Sequence, residues 1–148
     1  MCQRLYIASR TRLKTVRKTA AAPFLSVEDV SGNARARGRF GSDRRFLYLA
    51  GGHVECGCGF PVAPAEPGAP ETRVDPADLQ SMWALAEQLR DAVRRKSTVE
   101  LYLCWAHEES EPPLTRRTVT LPDLRDRAFR LRHREILTVG RASPAPGA

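Results

Sequence analysis

DPADLQSMWALAEQLRDAVRRKSTVELYLCWA, residues 75–106, is the stretch whose reading decides the fold. Asp75 offers a side-chain oxygen to the free N–H groups of a helix start, and Pro76 arrives with its φ already helical. Asp78 puts a negative charge at the positive end of the helix dipole. Leu79, Met82, Trp83, Ala86, Leu89 and Val93 then recur at helical spacing, and Arg94, Arg95 and Lys96 close the last turn with the favoured sign. The next ten residues change period. In STVELYLCWA, 97–106, Val99, Leu101, Leu103 and Trp105 fall on one face of a strand and Glu100, Tyr102 and Cys104 on the other.

Working outward, QRLYIAS (3–9), FLSVEDV (24–30) and RFLYLA (45–50) read as strands. SGN after the second supplies turn chemistry, and Gly51-Gly52 closes the third. TRRTVTL (115–121) and RAFRLRHREILTV (127–139) predict two more strands joined by a PDLRD turn. The pattern is α+β: a small mixed or antiparallel sheet of five to six strands with one main helix packed on one face. Residues 61–74 belong to a proline-rich surface connection, with prolines at 61, 64, 67 and 70 before the one at 76. Residues 1–140 are expected to form one domain, and the tail 141–148 has no core residue and should fray.

The chain has 148 residues, 42% of them hydrophobic, enough for one core. Its formal charge is +7, carried by 24 Lys and Arg against 17 Asp and Glu. Arginine dominates the basic side, and GC-rich coding favours Arg, Ala, Pro and Gly together, which weakens the charge as evidence for a nucleic-acid partner. Seven arginines between 116 and 134, and six basic groups in the first twenty-two residues, still allow nucleic acid to be attracted if they share a face. Aromatic groups to stack on bases are few, Phe129 being the one in the C-terminal stretch. No run approaches the roughly 18 apolar residues that span a bilayer, and the opening residues lack a secretory apolar segment. A cytoplasmic protein without membrane association is expected; the oligomeric state is not legible.

Four cysteines in a reducing compartment point to thiols, metal ligands or catalytic groups before disulfides. The dense element is GGHVECGCGF, 51–60. Cys56 and Cys58 are separated by one glycine, so both sulfurs can turn to one side of a tight loop whose backbone is free to donate N–H groups to them. That suits a metal or a redox pair, against an inert glycine turn. A Cys-x-Cys supplies half a tetrahedral site, and the partners must come from elsewhere: Cys2, then Cys104, His53 or His107 as a fourth ligand. Zinc is the expected ion, with an iron–sulfur cluster as the alternative. Cys104, in an apolar strand, also reads as a small buried hydrophobe. His133, among arginines, reads as a surface or hydrogen-bonded residue.

Cys2 has a second reading. Removal of the initiator Met would leave a cysteine with a free α-amine, which makes it a candidate catalytic nucleophile. The opening MCQR is similar to the Met-Cys-Gly-Arg start of the SOS-response-associated peptidases, and more loosely to the class II glutamine amidotransferases. Cys2 and Arg4 match that start, Gln3 replaces its glycine, and no His-x-Arg-Met-Pro segment follows. MCQRLYIAS together with FLYLAGGHVECGCGF resembles an uncharacterised group of small bacterial proteins that begin Met-Cys, continue into a Leu-Tyr strand and carry Cys-x-Cys-Gly-Phe after another strand. That resemblance implies that Cys2, Cys56 and Cys58 belong together; it brings no activity with it. Antiparallel pairing of strands one and three would bring Cys2 to the end of the sheet where the Cys-Gly-Cys loop sits.

Overall fold

The computed structural model describes residues 2–41, 43–54, 56–64, 66, 68–70, 74–95 and 97–141. Lys96 and the tail 142–148 lie outside the described residues. The strands are β1 (Gln3–Ser9), β2 (Ser26–Asp29), β3 (Phe46–Gly51), β4 (Val99–Trp105), β5 (Thr115–Thr120) and β6 (Glu135–Gly140). They form one mixed sheet in the order β2-β3-β1-β4-β6-β5, antiparallel throughout except for the parallel pair β5 and β6. The helices are α1 (Ala34–Arg37), α2 (Pro76–Arg94) and α3 (Leu121–Arg125).

Helix α2 begins as its sequence dictates, with the Asp75 carboxylate accepting the Ala77 N–H at 2.9 Å and Pro76 at the first helical position. It buries Met82, Leu85, Ala86, Leu89, Ala92 and Val93. These pack on Leu5 and Ile7 of β1, Tyr48 and Ala50 of β3, Val99, Leu101 and Leu103 of β4, and Leu137 and Val139 of β6. Trp83 sits beside this contact instead of inside it, its indole N–H donating to the Arg125 carbonyl at 3.1 Å.

The other face of the sheet is covered as well. Tyr6, Ala8, Leu47, Tyr102, Cys104 and Ile136 form a second, smaller core with Ala36 of α1, and Val30, Phe40 and Leu49 pack against it. This is why β1 and β4 are apolar on both faces. Glu100 points from β4 into this crowded side, 7% exposed, and is met by Arg44, whose Nε donates to its carboxylate at 3.0 Å. The Arg44 guanidinium also donates to the carbonyl and hydroxyl of Thr98.

Two expected elements differ. The PDLRD turn is the short helix α3, because Thr120 and Asp123 cap its start reciprocally. The strand expected over 127–139 is β6 alone, starting at Glu135. Arg134 has φ 54°, a left-handed conformation that breaks an extended run. Upstream of it Leu131 and His133 make single bridges to different neighbours, Val62 and Leu103. The Leu131 bridge ties the start of the proline-rich connection, with the Ala63 N–H donating to the Leu131 carbonyl at 2.8 Å.

Removing one partner of a buried ion pair leaves a desolvated charge. Arg44→Met should therefore lower stability by about 3–5 kcal/mol, and adding Glu100→Leu should recover most of that loss. Urea unfolding of the single and double variants checks the pair; equal losses in both would show that Arg44 acts through packing alone.

Candidate functional site

Antiparallel pairing of β1 with β3, Leu5 opposite Ala50 and Ser9 opposite Phe46, brings the start of β1 beside the end of β3. The chain leaves β3 at Gly51 and returns at once in a one-turn 3-10 helix, Gly57–Gly59. Glycine is required there by contact. A Cβ on Gly52 would stand 2.6 Å from the Gly59 carbonyl oxygen, and one on Gly57 would stand 3.0 Å from both the Gln3 oxygen and the Leu5 nitrogen. Backbone therefore lies directly on backbone, and Phe60, 1% exposed in the main core, anchors the far side of the loop.

This geometry supplies donors to both loop sulfurs. The Cys58 N–H donates to Cys56 Sγ at 3.3 Å, and the Gln3 N–H from β1 donates to Cys58 Sγ at 3.3 Å. Cys2, just before β1, is exposed and lines the same cavity as Cys56. All four cysteines are free thiols. Burial, reinforced by the neighbouring Cys58 thiol and by Cys2, pushes the Cys56 thiol up to about 11.

The other predicted ligands go elsewhere. His53 turns toward α2: its Nε2 lies 2.6 Å from the Asp78 carboxylate and its backbone N–H donates to Ser81 Oγ at 3.0 Å. His107 is exposed, 3.9 Å from Glu108. Cys104 is fully buried in the second core, where burial and the nearby Glu109 and Glu108 carboxylates push its thiol to about 12. It does share the end of the sheet, since β4 and β3 run in the same sense, both antiparallel to β1. Among the described residues no three His, Cys, Asp or Glu side chains stand ready to hold a metal ion.

At this end of the sheet the role of Arg4 escaped the reading of the sequence, which took His133 only as a surface or hydrogen-bonded residue. Arg4, on β1, forms an ion pair with Glu109, and its guanidinium also lies 3.5 Å from the Tyr6 hydroxyl. Burial, opposed by the Arg4 hydrogen bond, raises Tyr6 to about 12. His133 packs on Trp105, ring centroids 5.6 Å apart, and its Nε2 meets Glu108 at 2.7 Å. The signal for Arg4 was its place two residues beyond Cys2, hence on the same side of β1; nothing local marked Glu109.

No protein-family model, curated protein or solved structure matches the chain. Chemistry must be read from the site itself.

Gly59→Ala would set a Cβ 2.9 Å from the His53 nitrogen. Because backbone cannot yield as a side-chain tip does, a loss of about 1–3 kcal/mol is expected, with faster alkylation of Cys58 as its Gln3 contact loosens. Wild-type stability in this variant would contradict the contact.

Alkylation of Cys56 in metal-free protein should keep accelerating with pH toward about 11 instead of levelling near the ordinary thiol value of 9.0. The folded state holds the proton more tightly than the unfolded chain, so this thiol's contribution is intact below the ordinary value and is lost as pH climbs through the raised one. A peptide-resolved rate profile that levels near the ordinary value would refute the shift.

Proposed function

We propose that Cys2, Cys56 and Cys58 form a three-thiol site that binds a thiophilic metal ion, with zinc the first candidate and an iron–sulfur cluster the second. The observation that carries this reading is the pair of N–H donors, one from Cys58 and one from Gln3, aimed at the two loop sulfurs, with Cys2 lining the same cavity as Cys56. Such donors stabilise sulfur that carries negative charge. Burial opposes that charge at Cys56, and a bound cation supplies the compensation that the residues alone lack.

The three thiols are not arranged as a finished ligand set. In this reading the exposed side chain of Cys2, just before β1, turns onto the loop pair when metal arrives, so the site forms on binding. His53 is held by Asp78, which leaves the fourth position to a water or an external ligand.

The raised Cys56 thiol also favours metal binding over Cys56 itself acting as a nucleophile. Cys2 stays the candidate nucleophile if metal binding fails. Nucleic-acid binding has less support, because the arginines between 116 and 134 are largely engaged within the protein. Arg117 and Arg132 approach Glu135, and Arg125 pairs with Glu87. Arg130 and Arg134 donate to backbone carbonyls. Phe129 is 8% exposed and lies under the Arg117 guanidinium.

Protein purified without a polyhistidine tag should contain stoichiometric metal, lowered in Cys56→Ser and in Cys58→Ser and unchanged in His107→Ala. Zinc at about 100 times its Kd should stabilise the wild type by about 2.7 kcal/mol. A chelator should expose Cys2, Cys56 and Cys58 to alkylation together, since loss of the ion frees all its ligands. Rapid labelling of Cys2 alone, indifferent to chelator, would refute the metal site and favour the nucleophile.

A further inference from the structure

Cys2 and Cys56 open onto a cavity of about 250 Å³ whose other walls the metal reading does not use. It lies on the face of the sheet away from α2. Arg4 follows Cys2 on β1 with the parity of Tyr6 and Ala8, which belong to the second core. Glu28 stands opposite Leu49, as Tyr6 does from the other side, so β1, β3 and β2 all contribute to this face. Cys2, Arg4, Ser26, Glu28, Leu49 and Cys56 line the cavity, and Gly51 leaves its floor without a side chain.

Arg4 is the one cation and Glu28 the one carboxylate among the described lining residues. Their strands lie two positions apart, about 9–10 Å between backbones, and Glu28 is displaced a further two residues along the sheet, since Tyr6 and not Arg4 shares its row across Leu49. They do not close on each other, because Glu109, itself 6% exposed, holds the Arg4 guanidinium from the other side. Asn33 Nδ2 approaches the second Glu109 oxygen at 3.5 Å. Glu28 has no ion-pair partner among the described residues. A fixed cation therefore stands across an open cavity from an unspent anion, with thiols at one end.

From this arrangement we infer that the cavity binds a small zwitterion of the amino-acid type, its carboxylate on Arg4, its ammonium on Glu28 and its side chain toward Cys2 and Cys56. Arginine offers several donors in a planar fork, so the contact with Glu109 leaves others for a carboxylate. An anion alone leaves Glu28 unpaired and a cation alone leaves the remaining donors of Arg4 unused, whereas a zwitterion engages both. The inference rests on the thiol site proposed above and names a ligand for it, yet it does not need the metal.

S-Methylcysteine, a zwitterion with no free thiol, and its methyl ester, which lacks the carboxylate, are the probes. Alkylation of Cys56 by iodoacetamide is followed by peptide mapping in chelator-treated protein, so that a failed metal assay leaves this measurement intact. The acid should slow labelling at millimolar concentration and the ester should not. Glu28→Gln, on an exposed edge-strand site, and Arg4→Lys, which keeps the charge on Glu109 paired but lacks the fork, should each weaken protection about tenfold or more, as loss of a charged hydrogen bond requires. Equal protection by acid and ester, no protection by either, or undiminished protection in Glu28→Gln would overturn the inference.

Discussion

Antiparallel pairing of β1 with both of its neighbours is the constraint on which the rest of the molecule depends. It fixes the start of β1 beside the end of β3 and the end of β4 at once, so residues distant in sequence share one edge of the sheet. The Cys2 carbonyl accepts the Ala106 N–H at 3.1 Å, extending the ladder past the named strand. Leu5, Ile7, Tyr6 and Ala8 are buried alternately against two cores. A register slip of one residue would exchange those faces, placing Tyr6 against α2 and Arg4 away from Glu109. Both cores thus enforce the register that positions the thiol loop.

That loop then acquires its properties from how tightly it lies on β1. Contact between Gly57 and the Gln3–Leu5 backbone leaves no room for a side chain, and the same closeness aims the Gln3 N–H at Cys58. Two opposing influences meet at the sulfurs. Burial favours the neutral thiol at Cys56, whereas N–H donors favour a thiolate. At Cys56 burial wins in the protein alone, which makes that thiol a poor spontaneous nucleophile and one that gains most from a partner able to take the proton's place.

Local chemistry is what the sequence made legible. Asp75-Pro76 and the change of period at residue 97 identify α2 and β4, because capping and alternation are properties of neighbours in the chain. The Cys-Gly-Cys loop was legible for the same reason, whereas its closeness to Cys2 hung on the sense of the β1–β3 pairing, which the structure makes antiparallel. Residues 127–134 misled because alternate burial arose against two separate partners: Leu131 bridges Val62 and His133 bridges Leu103, with no continuous ladder between them. The ligand roles offered to His53 and Cys104 depended on side-chain direction. A hydrogen bond to Asp78 turns one toward α2, and strand parity turns the other into the second core.

The arginine excess gains a structural meaning from the same long-range pairings. Glu100, Glu109 and Glu135 are buried carboxylates, and Arg44, Arg4 and Arg117 respectively meet them. Two of these pairs span 56 and 105 residues of sequence, so composition could register the charges but not their use. A carboxylate taken out of water is tolerable only with a close, well-oriented cation, and the arginine fork supplies two or more donors from one side chain. The second core tolerates Glu100 and Glu109 on those terms. Arg4 then has a double position, fixed inward by Glu109 and exposed toward the cavity beside Cys2 and Cys56, so a contact that satisfies a buried carboxylate also sets the charge that any molecule approaching the thiols must meet.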